Sequence, residues 1–271
     1  PESLNRCRDL RPNSVLLLIL MTRGTASEAT STGQCPIDLS KLKPEHREFF
    51  QGAEGLIFDY DGTLADSIYV WYKVDEKFFA ALGRDVPENH QEITGDMSFV
   101  ERTQYLRDTH GVTWTPEEMI AHWRATARDL YASEVQPRPG CLRLLACATR
   151  GKTAIATSLT RSLLDASLEH TGMISHFEHR TVSSGEIVPY THKPEPEVYL
   201  QAAKLIGVDP AKCIVFEDTL SGVQGGKNAG MKVVNIREAG SDHYRSQIDP
   251  LADLCIQGWD DLLLDPVVDN A

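Results

Sequence analysis

The 271-residue chain lacks any Cys-x-x-Cys pair, any long apolar run and any excess of positive charge. Its six cysteines, Cys7, Cys35, Cys141, Cys147, Cys213 and Cys255, are scattered. Structural zinc sites need clustered ligands, so this spacing argues against zinc. Cys213 lies in an apolar run, where a free buried thiol is the simpler reading. Scattered thiols fit a reducing compartment, here the cytoplasm. The apolar run at residues 15–21 is far short of the roughly 20 residues that span a bilayer. Arginines before it and small residues after it give a partial likeness to a secretory signal. Pro1 cannot initiate translation, so Met21 is read as the start, with the preceding residues a leader or an artefact. A net charge of −12 argues against nucleic acid or an anionic membrane as partner. A local basic pocket for a small phosphate ester is compatible with that charge.

What the chain has is a 41% hydrophobic content, enough for a sizeable core. Residues 22–33 are polar and small, and a largely disordered tail is expected through residue 50. Apolar runs at 55–58, 153–156, 212–216 and 231–235 each read as a buried strand, with weaker candidates at 177–182 and 254–256. Helical patterns at 161–169, 195–206 and 221–229 alternate with them. Such alternation predicts an α/β, Rossmann-like parallel sheet with helices on both faces. The segment 68–136 breaks the pattern with amphipathic helices at 68–82, 98–109 and 116–131. It reads as a small helical cap inserted after the first strand, with the core formed by 51–67 and 137–271. Pro137 to Gly140 is the expected hinge back to the core. No internal repeat is present, and a monomer is expected.

Polar residues gather at the ends of the expected strands, where open α/β sheets bind ligands. Asp59 and Asp61 follow the first strand, and alternate residues of an extended segment point the same way. One carboxylate can attack phosphorus, and the other can protonate the leaving oxygen and then activate water. Two close carboxylates need a cation or a shared proton, and magnesium takes oxygen ligands. An Asp-Gly turn is the plain alternative. A given Asp-x-Asp-Gly-Thr string arises by chance in only roughly 0.3% of chains this long, so the turn-only reading is set aside. Thr157 and Ser158 end the second strand, as phosphoryl ligands or a helix cap. Lys193 precedes a helix, as a phosphate partner or a solvated loop lysine. Glu217 and Asp218 end the third strand, as metal ligands or with Asp218 as a helix N-cap. Gly222 to Lys227 fails as a phosphate loop, because Ser221 and Asn228 stand at required Gly and Ser/Thr positions. His170, His176 and His179 fit no ligand spacing and read as surface residues. Trp71 and Tyr72 are core, rim or entrance aromatics.

Taken in order, residues 58–67 (FDYDGTLADS), Thr157–Ser158, residues 193–196 (KPEP) and Glu217–Asp218 resemble the haloacid dehalogenase-like superfamily. The likeness is to the branch of beta-phosphoglucomutase and sugar-phosphate phosphatases, and covers about residues 55–261. The resemblance implies Asp59 as nucleophile and Asp61 as general acid/base. It implies Mg2+ held by the Asp59 carboxylate, the Asp61 carbonyl and Asp218, with Glu217 as a further ligand or its support. Thr157 and Ser158 would grip phosphate, and Lys193 would steady the phospho-aspartate. Asp61 implies phosphate-ester chemistry, since the dehalogenases and phosphonatases lack this acid. The cap is implied to close over a small phosphorylated metabolite. The mutase's cap histidine is Trp71 here, and its substrate-gripping arginine is Ser98 after Gly95. Those departures favour phosphatase over phosphomutase; a non-catalytic descendant is a third alternative. Trp71 and Ser98 are the expected cap contacts to substrate.

Overall fold

A computed structural model describes residues 35–94, 97–189 and 191–265. In chain order the strands are β1 (Gly55–Phe58), β2 (Ala65–Asp66), β3 (Gln136–Pro137), β4 (Thr153–Thr157), β5 (Thr181–Ser183), β6 (Cys213–Glu217), β7 (Lys232–Ile236) and β8 (Leu254–Ile256). The α-helices are α1 (Pro44–Phe50), α2 (Tyr69–Ala81), α3 (His90–Thr94), α4 (Phe99–His110), α5 (Pro116–Ser133), α6 (Cys141–Cys147), α7 (Arg161–His170), α8 (Ile174–Phe177), α9 (Glu197–Ile206), α10 (Leu220–Asn228) and α11 (Arg245–Ile248). Six strands form one parallel sheet in the order β5-β4-β1-β6-β7-β8. The chain grows outward from β1 in one direction through β4 and β5, then in the other through β6, β7 and β8. The reversal leaves a crevice at the carboxyl end of β1.

Every residue of β1, β4 and β6 is buried, as expected for a parallel sheet covered on both faces. Alternation sorts the side chains. Leu56 and Phe58 join the core with α6, α7 and α8, while Ile57 joins the core with α9 and α10. Phe58 stacks on Phe216 of the neighbouring strand at 4.8 Å between centroids, and Phe50 stacks on Phe216 from the far side at 6.2 Å. The expected tail is therefore too long. Ile37, Leu42 and Phe50 are buried, and α1 packs onto the sheet because Phe50 gains more by joining that aromatic stack than chain entropy opposes. The apolar run at 15–21, the polar stretch at 22–33, Cys7 and Met21 lie outside the described residues.

The insertion between β1 and β4 carries α2 to α5 and forms the cap. Helix α5 starts at a full capping box, Thr115 with Glu118, and α4 at a second, Ser98 with Glu101. α5 packs on α2 and α4 and rests on core helix α7. The two linkers pair as a short antiparallel ribbon, Ala65 with Pro137 and Asp66 with Gln136. The short α3 has no expected counterpart in the sequence: five residues give too little periodicity to read.

Candidate active site

The chain leaves β1 at Phe58 and turns at Gly62, whose φ is +73°. A Cβ at Gly62 would lie 2.3 Å from Asp218 Oδ2, so glycine is required by both the backbone angle and the space. The turn holds Asp59, 6% exposed, beside the end of β6, where its N–H donates to the Phe216 carbonyl at 3.0 Å. The Lys193 ammonium bridges the carboxylates of Asp59 and Glu217. Glu217 is fully buried, and donors fill both of its oxygens. Lys193 and the Tyr199 hydroxyl (2.7 Å) take one; the Asp218 and Thr219 N–H groups and the Thr219 hydroxyl take the other.

Asp218 does not cap a helix. Thr219 does so instead, accepting from the Gly222 N–H at 3.1 Å at the start of α10. Asp218 is thereby left facing Asp59. One oxygen accepts from Thr63 at 3.1 Å, and the other, Oδ2, is buried without a hydrogen-bond partner. The glycines of α10 serve packing: a Cβ at Gly222 would meet the Glu217 carboxylate at about 2.0 Å.

Asp61 lies at the mouth of the crevice. Its Oδ1 accepts two hydrogen bonds of 2.6 Å, from Ser67 and from Tyr131 on cap helix α5. Neither hydroxyl was assigned a role from the sequence, although Ser67 sits within the quoted motif. Tyr131 could have been flagged, since a tyrosine on a buried helix face needs a partner for its hydroxyl. The same signal applies to Tyr199 on the apolar stripe of α9. Thr157 is buried, and its hydroxyl accepts from the Leu159 N–H at 3.0 Å. Ser158 is exposed on the cleft wall.

The electrostatics are those of an under-compensated acidic cluster. Four carboxylates, Asp59, Asp61, Glu217 and Asp218, surround one ammonium. Burial pushes Asp59 up to about 8 against the pull of Lys193, with Glu217 adding to the rise. Burial also raises Asp61, against the two hydroxyls that hold it. Asp218 is raised well above the carboxylate range by burial, then by Glu217 and Asp59. Burial opposes the charge on Lys193, yet Asp59 and Glu217 together outweigh it and hold the lysine protonated. Among the described residues, Asp59, Glu217 and Asp218 bring one oxygen each within 4.8 Å of one another. Hard oxygen donors, surplus negative charge and the orphaned Asp218 Oδ2 all suit a divalent cation such as Mg2+.

A cleft of about 740 Å3 opens from this centre toward the cap, lined by Asp61, Trp71, Phe99, Arg102, Tyr131 and Ser158 among others. Trp71 packs against Phe99 at 5.8 Å and lines the cleft. Ser98 does not line the cleft: its hydroxyl is engaged in capping α4. Arg102, one turn further along α4, lines the cleft instead. His170, His176 and His179 form no metal-holding group among the described residues.

Sheet, cap and carboxylate cluster together define a capped α/β protein with its candidate site at the strand ends. The profile of the haloacid dehalogenase-like hydrolases matches residues 56–236. The chain is 34% identical over 196 residues to protein CbbY of Rhodobacter capsulatus, covering 67% of this chain and 84% of that one. It is 26% identical over 183 residues to the fructose-1-phosphate phosphatase YqaB of Escherichia coli, covering 68% and 96%. CbbY from Rhodobacter sphaeroides, solved in complex with phosphate, shares the fold at a TM-score of 0.63 and 21% identity, over 76% of this chain and 95% of that one. The chain belongs to the haloacid dehalogenase-like hydrolase family.

Proposed function

We propose that this chain is a magnesium-dependent phosphatase that hydrolyses a small phosphomonoester, a sugar phosphate in the first place, through a phospho-aspartate on Asp59. The observation that carries this reading is the buried Asp59 carboxylate, bridged by Lys193 and facing the unpartnered Asp218 Oδ2. Asp59 attacks phosphorus while Asp61, whose burial favours the protonated form, gives a proton to the leaving oxygen. Asp61 then takes a proton from the water that cleaves the phospho-aspartate. Lys193 offsets charge on Asp59, and Thr157 and Ser158 meet the phosphoryl oxygens. Magnesium held by the Asp59 carboxylate, the Asp61 carbonyl and Asp218 would neutralise the attacking carboxylate and the transferring phosphoryl group. Glu217, its oxygens filled by donors, holds Lys193 and the start of α10 rather than a cation.

Trp71 in place of a cap histidine, and Ser98 engaged as a helix cap, favour water as the acceptor over a sugar hydroxyl. The five described cysteines are free, which suits a reducing interior such as the cytoplasm. A panel of small phosphate esters with Mg2+ tests the reading. Inorganic phosphate released in step with substrate loss is expected; net isomerisation of a hexose 1-phosphate without phosphate release would contradict it.

Two further outcomes follow from the geometry. Tyr131→Phe removes one of the two hydroxyls on Asp61. Once Asp61 has given up its proton its carboxylate is a charged acceptor, and a hydrogen bond to a charged group is worth about 1.5–3 kcal/mol, so kcat is expected to fall by roughly tenfold or more with KM little changed. A shift confined to KM would assign Tyr131 to substrate binding instead. The second outcome concerns metal and pH. A carboxylate raised on folding stabilises the native state below its unfolded value and costs stability as pH rises through its folded value. Metal-free protein should therefore lose stability between about pH 4 and about pH 8 as Asp59 ionises, and bound cation should reverse the loss. At a hundredfold excess over its Kd, Mg2+ contributes about 2.7 kcal/mol. Melting curves with Mg2+ and with chelator should diverge as pH rises; a gap independent of pH would contradict the assignment.

A further inference from the structure

We infer that the cleft selects a phosphomonoester whose leaving group is uncharged, a sugar, polyol or nucleoside alcohol, and discriminates against bisphosphates and phosphorylated carboxylic acids. The inference rests on the phosphatase reading above. Away from the reaction centre, the described cleft wall includes one permanently cationic side chain, Arg102. Its charge is paired inside the cap, through Nη2. Nη2 lies 2.7 Å from Asp75 Oδ2, with Asp75 only 1% exposed, and also donates to the Thr94 hydroxyl at 2.9 Å. His90 Nε2 approaches the same guanidinium at 3.2 Å. Asp75 Oδ1, His90 Nδ1 and Arg102 Nε are buried without partners, a cost that a purely structural cluster would be expected to avoid.

The other charged side chains on the wall are acidic. Glu92 carries a negative charge there, and Glu238 is paired with Arg138 at 3.2 Å. His243, also on the wall, lies against the Tyr244 ring. Among the described residues, a second phosphate or a carboxylate would thus enter a wall whose one arginine is already ion-paired with Asp75 and whose other charged groups at neutral pH are negative. An uncharged leaving group meets suitable chemistry. Trp71 and Phe99 offer an apolar surface for a sugar ring or base. Gln91 donates its amide to Asp75 and keeps its carbonyl oxygen for a hydroxyl, and Ser241 adds a second hydrogen-bonding group.

The test compares kcat/KM for fructose 1-phosphate and fructose 1,6-bisphosphate, and for glycerol 3-phosphate and 3-phosphoglycerate, with p-nitrophenyl phosphate as a general probe. The wild-type enzyme is expected to favour the uncharged member of each pair by roughly tenfold or more. Equal or reversed values overturn the inference while leaving the phosphatase reading intact; no phosphate release from any ester, the nitrophenyl probe included, overturns that reading first. Asp75→Asn frees Arg102 and is expected to raise the bisphosphate kcat/KM relative to the monophosphate by roughly tenfold. A folded Asp75→Asn variant with unchanged discrimination overturns the masking of Arg102. If that variant does not fold, the wild-type ratios still decide the substrate class.

Discussion

Asp59→Asn is expected to fold as the wild type does and to lose turnover by a factor on the order of 10^4 or more, the scale seen when a covalent nucleophile is removed. The amide matches the carboxylate in size, so packing at the end of β1 is unchanged. Lys193 keeps its second partner, Glu217, so no buried charge is stranded. One negative charge leaves a centre that holds four carboxylates against one ammonium, and the metal-free variant should melt at or above the wild-type temperature near neutral pH. The chemistry is lost because an amide oxygen is a poor nucleophile and a weaker cation ligand. Steady-state turnover, with a melting curve as the control for folding, checks both halves. Activity within tenfold of wild type would remove Asp59 from its role.

Lys193→Met should fail differently, losing stability as well as activity. Its side chain is 7% exposed, and its ammonium is shared between two carboxylates whose side chains are 8% and 0% exposed. Removing one partner of a buried ion pair costs about 3–5 kcal/mol, because the remaining charge is uncompensated. At roughly 2–4 °C per kcal/mol for a protein of this size, the melting temperature should drop by about 10 °C. Burial already raises Asp59 to about 8; without the lysine it rises further. The Asp59 share of the deficit should therefore be absent below about pH 8, where the carboxyl is protonated in both proteins, and should grow as pH rises above about 8. A deficit of equal size at all pH values would mean that lost packing against Tyr199, 5.4 Å from the ammonium to its ring centroid, dominates over charge.

The central strands and the chemistry at their ends were legible because parallel strands buried on both faces read as unbroken apolar runs. β1, β4 and β6 announce themselves in this way, and β7 does so through Val233 and Val234 at its centre. The cap was legible as an interruption of that rhythm. What escaped was short or depended on distant partners. α3 spans five residues, and α1 was hidden in a polar stretch whose single anchor, Phe50, is useful only because Phe216 waits for it across 166 positions of chain. At the site, acids, lysine and hydroxyls could be located from strand ends, but their supports could not. Tyr131 reaches Asp61 from 70 residues away, and Asp75 masks Arg102 across two cap helices. Ser98 shows the opposite error. A position equivalent to a substrate contact was expected to touch substrate, yet a serine followed three residues later by glutamate makes a capping box, and that local motif prevailed.

The central step of the proposed mechanism is a covalent bond between Asp59 and phosphorus. Rapid quenching during turnover of a good ester, followed by borohydride reduction and peptide mapping, reads that bond directly, since reduction of an aspartyl phosphate converts the aspartate to homoserine. Homoserine at position 59, absent without substrate and absent in Asp59→Asn, is the expected result. Steady phosphate release with no reducible acyl phosphate at any time point, or with the label on another residue, would contradict the mechanism.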